Sequence, residues 1–399
     1  MKILQVNNVY GEKSTGKLTQ SIHLGLQAQG HESVVVFGRG NGCAEPGVIR
    51  LCSNRYGQLN SLLSRVTGMP YGGCCLSTHR LKKIICKQKP DVVHLQCING
   101  NFVNIYSLIG WLKKKKIPTV CSLHAEFMYT ANCGHAFDCD RWREGCGHCP
   151  DRKKAVKSLL LDRTAASWKK MRKAFQGFER DCIMAPVSPW TEQRARQSPI
   201  VKDFPFCTVL NGVDTNLFHA PSAREQEKNR VLHVTAQFSL TPGHNKGGTY
   251  LVELAKRLPH VTFVVAGPCD AGVEVPSNVE LLGTVADQKQ LAQQYRRAGL
   301  TLVLSRKETF SMPCAESLCC GTAVAGFRAG APEQIALPEY SEFVEYGDMD
   351  ALEVAVVQGL SRDCDPSAVS QKAQEAYSQQ TMLRSFLEVY KQCQFNSKK

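Results

Sequence analysis

The sequence lacks several features, and each gap removes a class of function. None of its 399 residues lies in a stretch approaching the roughly 18 uncharged apolar residues that a bilayer span requires. There is no repeat of fixed period and no low-complexity tract, which excludes a solenoid or a largely disordered chain. Acidic residues are scarce in one half only: residues 1–200 hold 13 Asp and Glu against 30 Lys and Arg, a net of +17, whereas the remainder has a net of −3. That asymmetry suggests that one domain faces an anionic partner, whether nucleic acid, a phospholipid surface or a phosphorylated carrier. A polyanion-binding protein is thus one competing class, but no nucleic-acid module or interleaved aromatic platform accompanies the charge, so no nucleic-acid partner is expected. The opening "MKILQVNNVYG" lacks the long apolar core and small-residue cleavage site of a secretory leader, and a cytoplasmic protein is expected.

A second gap lies in "YGEKSTGKLT", residues 10–19, where Gly11, four residues, Gly16 and Lys17 copy the spacing of a phosphate-cradling P-loop. Leu18 stands where a Mg²⁺-binding Ser or Thr belongs, and no apolar strand ends in the Asp that would complete the metal site. An ATPase is therefore excluded. What remains is a loop of small residues leading into a helix N-terminus, whose N–H groups can hold a diphosphate, or else a plain strand-to-helix turn.

The length, by contrast, is ample for two domains, and the pattern supplies them. "ILQVNNV", "SVVVFG", "DVVHLQ", "IPTVCSLH" and "CIMAPVS" read as buried strands with helical stretches between them. Ser14 or Thr15 is placed to cap the first helix and Gly30 to end it. The pattern restarts with "RVLHVTAQ" and runs through "VTFVVAG", "VELLG", "LTLVLS" and "AVAGF". The expectation is an α/β chain of two Rossmann-like, doubly wound parallel-sheet domains facing a central cleft. The first covers 1–206, a polar hinge 207–228, the second 229–377, and a C-terminal helix over 378–399 returns to the first domain.

The most informative stretch is "SRKETFSMPCAESLCCGTAVAGF", residues 305–327. A strand ends at Ser305, a loop carries Glu308, and Pro313 stands in the first turn of a helix. Glu316, a turn into that helix, leans back toward its N-terminus, so both carboxylates can reach one ligand. The amides of Thr309, Phe310, Ser311 and Met312 can meanwhile point at an anionic group above the helix end.

This E-x7-E pattern, together with "STGK" in the first loop, "VNGVDTNLF" at 209–218, "NKGG" at 245–248 and "GAPEQI" at 330–335, resembles retaining glycosyltransferases of family 4, which have the GT-B fold. The segment "SLHAEFMYTANCGHAFDCDRWREGCGHCPD" is similar to the capsular, exopolysaccharide and colanic-acid type subgroup. The resemblance implies that Glu316 holds the ribose of a UDP- or GDP-sugar, Glu308 the sugar hydroxyls, and Lys246 the diphosphate, with the amides near Gly16 contributing from the first domain. His124 matches a histidine facing the donor sugar and joins Glu308 as a catalytic candidate. The N-terminal domain then binds a saccharide or lipid-diphosphate-linked acceptor, and transfer needs no divalent metal. A sugar-nucleotide epimerase on the same fold is the other competing class. The family's Arg before the Lys of "NKGG" is missing, with Gln237 or His244 as substitutes, and no function is carried onto Glu126, displaced by one residue from the family's Asp.

Nineteen cysteines without an export signal argue against a disulfide framework. Cys133, Cys139, Cys146 and Cys149, in the loop 124–152, include one C-x-x-C pair and suggest either a structural zinc site, with His135 and His148 as spare ligands, or simple thiols. Finally, "IYSLIGWLKKKKIP" sets an apolar helix face beside Lys113–Lys116, either resting on an anionic inner-membrane face or packed as an ordinary core helix.

Overall fold

Among the described residues, those with β-branched and other apolar side chains gather into twelve short strands. The structure, a computed structural model, describes residues 1–41, 44–222 and 225–398. In the first half β1 (Lys2–Asn7), β2 (Glu32–Phe37), β3 (Val48–Arg50), β4 (Val92–Leu95), β5 (Thr119–Leu123) and β6 (Cys182–Pro186) form one parallel sheet in the order β3-β2-β1-β4-β5-β6. In the second half β7 (Glu227–Val234), β8 (Thr262–Ala266), β9 (Val279–Gly283), β10 (Ala298–Val303), β11 (Val324–Phe327) and β12 (Ser341–Val344) repeat the arrangement as β12-β11-β10-β7-β8-β9, again all parallel. Helices connect the strands of both sheets. Each sheet has the doubly wound order, with a switch point where the winding reverses: between β1 and β4 in the first, between β7 and β10 in the second. Two Rossmann-like domains of this kind make the GT-B fold.

The chain divides into two compact units, one of Met1–Val209 with the chain from Met382 onward, the other of Leu210–Thr381. Within the first, the C-terminal helix Gln379–Lys398 lays Leu383, Phe386, Val389 and Tyr390 against Ile3, Ile22, Leu26 and Val120. Residues 223 and 224, inside the expected hinge, lie outside the described residues.

Two details differ from the sequence reading, and a third decides between two readings it left open. The first helix runs Lys13–Ala28, so it begins before Ser14, and Glu12 at its start makes no side-chain capping bond. Instead the Glu12 carboxylate accepts the side-chain amide of Asn41 at 2.8 Å. Strands β3 and β12 are also present, although their three and four residues are only half-buried or exposed and carry little apolar signal. Lastly, the helix Ile105–Lys114 buries Ile105, Leu108, Ile109 and Leu112 completely in the core. Lys113 Nζ donates to the carbonyls of Lys173 and Gln176, at 3.1 and 2.7 Å, Lys114, Lys115 and Lys116 are exposed, and the segment is an ordinary core helix.

Candidate functional site

Ligands of doubly wound sheets bind beyond the carboxyl ends of the strands at the switch point, and in the second unit that place is built by the segments after β7 and β10. "NKGG" follows β7. Gly247 takes φ +69°, and a Cβ there would stand 2.4 Å from the carbonyl oxygen of Leu304, so only glycine lets this turn settle onto the end of β10. The Asn245 carbonyl accepts the N–H of Arg306 at 2.8 Å, its side-chain oxygen accepts the N–H of Lys307 at 3.2 Å, and its amide donates to the Lys307 carbonyl at 3.3 Å. Asn245 thus latches the two loops together. Across this joint Lys246 Nζ reaches Glu308 Oε1 at 2.5 Å, an ion pair with about a quarter of the lysine and a fifth of the glutamate side chain exposed.

Glu308 is fixed from its other side. Its N–H donates to Ala329 at 3.0 Å and its carbonyl accepts Ala331 N–H at 3.3 Å, which ties it to "GAPEQI". That turn is held in its own right by Glu333, whose carboxylate accepts the N–H groups of Ala329 and Gly330 at 3.0 and 2.9 Å. The following helix, Met312–Cys319, starts at Ser311 with φ +85°, without a side-chain cap and without an acidic residue in its first turn. A non-glycine residue held in the left-handed region costs about 1–3 kcal/mol and is a mark of functional turns. Such a helix start presents positive dipole to an anion. Glu316, one turn along, accepts the buried Tyr295 hydroxyl at 3.0 Å. Burial, then the charge of Glu316, pushes the Tyr295 phenol well up, so it stays a donor and orients that carboxylate. The second unit therefore pairs Lys246 with Glu308 next to the Thr309–Met312 turn, while Glu316, one turn into the helix that follows, meets Tyr295. Gln237, offered as a substitute for the missing arginine, donates instead to Asp270 at 2.7 Å.

In the first unit His124 follows β5, next to the switch-point strand β4. Its Nε2 lies 2.7 Å from Gln96 Oε1, and Gln96 in turn donates to Gln5 at 3.0 Å. Because Gln96 turns its oxygen to the histidine, the neutral ring carries its proton on Nε2. Burial pushes the His124 imidazole down to about 4, so the ring is uncharged at neutral pH.

Residues 16–217, slightly more than half of the chain, match the family model described as Glycosyltransferase Family 4. The chain belongs to glycosyltransferase family 4. Residues 229–362 match a second model, described as Glycosyl transferases group 1. Among solved structures the chain is similar to sucrose-phosphate synthase from Thermosynechococcus elongatus, with TM-score 0.67, 14% identity and coverage of 98% of this chain and 99% of that one. It is also similar to the Anabaena protein HepE in complex with UDP, with TM-score 0.64, 14% identity and coverage of 98% and 100%. The apo lipopolysaccharide outer core galactosyltransferase WaaB gives TM-score 0.62, 12% identity and coverage of 98% and 100%. At these identities the likeness is one of fold. No curated protein sequence matches the chain.

Two further sequence-based candidates of this glycosyltransferase lie in the first unit. Gly16 lies inside the first helix, where the missing side chain admits Val9: a Cβ would meet Val9 Cγ2 at 3.1 Å, and the Gly16 carbonyl accepts Gly11 N–H at 3.1 Å. It packs the loop closely on the first turn of the helix Lys13–Ala28. The cysteines of the loop 124–152 gather around Cys133, whose thiol is pushed up by burial and then by Cys149, Cys146 and Cys139. Burial pushes Cys146 up to about 11. Among the described residues, however, no three or more His, Cys, Asp or Glu side chains are arranged to hold a metal ion, and every described cysteine is a free thiol.

The loop has another anchor, which the sequence did not reveal. Glu126 is fully buried and accepts Arg194 Nε at 2.6 Å, the Tyr129 hydroxyl at 2.8 Å and the Ala136 N–H at 2.6 Å. Arg194 stacks on Trp142 and Trp190, with 5.2 and 5.1 Å to the ring centroids, and the buried Trp142 indole donates to Cys139 O at 2.7 Å. The acidic residue one place from the expected Asp is a structural keystone.

Proposed function

We propose that this family 4 protein is a retaining glycosyltransferase that moves a hexosyl or related sugar from a UDP- or GDP-sugar to a hydroxyl of a saccharide or lipid-linked saccharide acceptor in surface polysaccharide biosynthesis. The observation that carries the reading is the Lys246–Glu308 pair held by Asn245 at the switch point, with Glu316 one turn into the adjoining helix. Lys246 is a compact point charge suited to a diphosphate, and the Thr309–Met312 amides add donors beside it. Developing negative charge on the leaving diphosphate is stabilised by these groups, so transfer needs no divalent cation. Glu316, oriented by Tyr295, receives the ribose hydroxyls, and Glu308 receives those of the sugar. Neutral His124 assists at the sugar, its ring oriented by Gln96. Same-face attack retains the configuration, the departing phosphate oxygen taking the acceptor proton. HepE, solved with UDP-glucose, supports a UDP-sugar donor, and WaaB supports a surface saccharide acceptor.

The test is transfer from a panel of UDP- and GDP-sugars in EDTA, with the anomeric configuration of the product read by NMR. A product with the donor's configuration, made by wild type and at least about a hundredfold more slowly by Lys246→Met, is expected. Inversion, dependence on added divalent metal, or full activity of Lys246→Met contradicts the reading.

A further inference from the structure

The helix Asn54–Thr67 is amphipathic the wrong way round for a soluble domain. Its inward side is Gly57 and Asn60, with Ser61 and Ser64 half-buried beside them. Asn60 is committed there, accepting the Cys74 N–H at 2.9 Å. Leu59, Leu62, Leu63 and Val66, spaced i, i+3, i+4, i+7, form a continuous stripe on the outside, between 43% and 57% exposed. Alongside its last turn lies "SLLL": the Leu159 N–H donates to the Arg65 carbonyl at 2.9 Å, and Leu159, Leu160 and Leu161 are 52%, 68% and 43% exposed. These two segments hold seven of the fourteen exposed large hydrophobic side chains among the described residues, so the patch is a concentration and not the usual scatter.

The charge around it is mainly positive, with Asp151 and Asp162 the acids at the two ends of the lysine-rich turn and the leucines. The helix carries Arg55 and Arg65 and no acid, while Lys153, Lys154 and Lys157 are exposed in the turn that leads into the leucines. Arg152 clasps that turn, donating to the Leu160 carbonyl at 2.7 Å. Asp162, the one acid in residues 152–170, accepts backbone N–H groups of Cys149 and Thr164 at 2.6 and 3.0 Å. Leucines that enter the headgroup boundary, ringed by lysines that meet anionic phosphates, are the chemistry of interfacial binding.

We infer that the stripe Leu59, Leu62, Leu63 and Val66, with Leu159–Leu161 and their basic ring, is a docking surface for an anionic phospholipid bilayer. The helix Ile105–Lys114, whose apolar face is in the core, does not serve this purpose. This inference stands apart from the donor site, since its residues belong to the first unit and those of the Lys246–Glu308 site to the second.

The full chain is sedimented with vesicles of phosphatidylcholine alone or mixed with phosphatidylglycerol. Wild type should partition at least about tenfold more to the mixed vesicles. The pairs Leu62→Gln/Leu160→Gln and Lys153→Glu/Lys154→Glu should each lose about tenfold, while Lys114→Glu/Lys115→Glu keeps most of the binding. All variants should retain the wild-type melting temperature and nucleotide binding, which separates failure here from failure of the donor reading. Equal partition to neutral and mixed vesicles, or leucine variants that bind as wild type, overturns the inference. So does a concentration-dependent dimer abolished by Leu62→Gln/Leu160→Gln, which assigns the patch to a second copy of the chain.

Discussion

Gly243 and Gly247 lie in the same loop with nearly the same φ, +73° and +69°, but only one of them is crowded. A Cβ at Gly243 meets nothing within 4 Å, whereas one at Gly247 stands 2.4 Å from Leu304 O and 2.7 Å from Leu304 Cβ. Alanine at Gly243 therefore carries only the left-handed cost of roughly 1–2 kcal/mol. Alanine at Gly247 carries that cost and also forces backbone apart, a further 1–3 kcal/mol or so. Leu304 directly precedes Ser305, whose hydroxyl lies 3.5 Å from Lys246 Nζ, so the displacement opens the Lys246–Glu308 joint itself. Urea unfolding followed by circular dichroism should show Gly247→Ala less stable than Gly243→Ala by about 1–3 kcal/mol. Titration with the cognate nucleotide should show at least about tenfold weaker binding for Gly247→Ala alone, since small misplacements in such sites are costly. If the two variants match in both stability and affinity, the close seat of "NKGG" on β10 is not what positions Lys246.

Two further predictions concern the first unit. Glu126→Gln leaves the Arg194 guanidinium, 13% exposed, without its counter-charge and should cost about 3–5 kcal/mol in urea unfolding; a loss under about 1 kcal/mol would remove Glu126 as the anchor of the loop. His94, whose Nδ1 and Nε2 lie 2.8 and 2.7 Å from the Tyr390 and Ser122 hydroxyls, is pushed down to about 3 by burial, then by His124. With the folded value below the unfolded one, the unfolded chain takes up the proton first. The contribution of His94 is thus complete above about pH 6.5 and is lost as pH falls toward 3, by up to about 1.4 kcal/mol per pH unit. His94→Gln should flatten the stability profile between about pH 6 and pH 4, and an unchanged slope would contradict the buried neutral ring.

What the sequence made legible depended on whether the signal was local. Strands such as "VTFVVAG" and "LTLVLS" are buried on both faces and read as plain apolar runs, whereas β3 and β12, at sheet edges and half-exposed, do not. Glu308 and Glu316 stood out because seven residues place one in the loop after β10 and the other one helical turn in. Asn245 was not, since its partners in residues 306 and 307 are distant in sequence. Glu126 was passed over for the same reason: its value comes from Arg194, Tyr129 and Ala136, which only the folded loop assembles. The spacing of Leu59, Leu62, Leu63 and Val66 marks an apolar helix face but carries no information on which way it turns. Periodicity defines a stripe, and tertiary packing of Gly57 and Asn60 decides that this one looks outward. The cysteine spacing left a zinc site and simple thiols both open, and among the described residues no three His, Cys, Asp or Glu side chains are arranged to hold a metal ion.

The central claim is that a nucleoside diphosphate is held by Lys246, Glu316 and the turn between Glu308 and Met312. Thermal unfolding of wild type and Glu316→Ala, both with UDP, GDP or ADP at about 100 times the wild-type dissociation constant, tests it most directly, since such a ligand adds about 2.7 kcal/mol to the wild-type folded state. For units of this size that is a rise of roughly 5–10 °C. The account predicts that rise for one base in wild type and none in Glu316→Ala. No rise with any nucleotide for folded wild-type protein, or the same rise in both proteins, would contradict it.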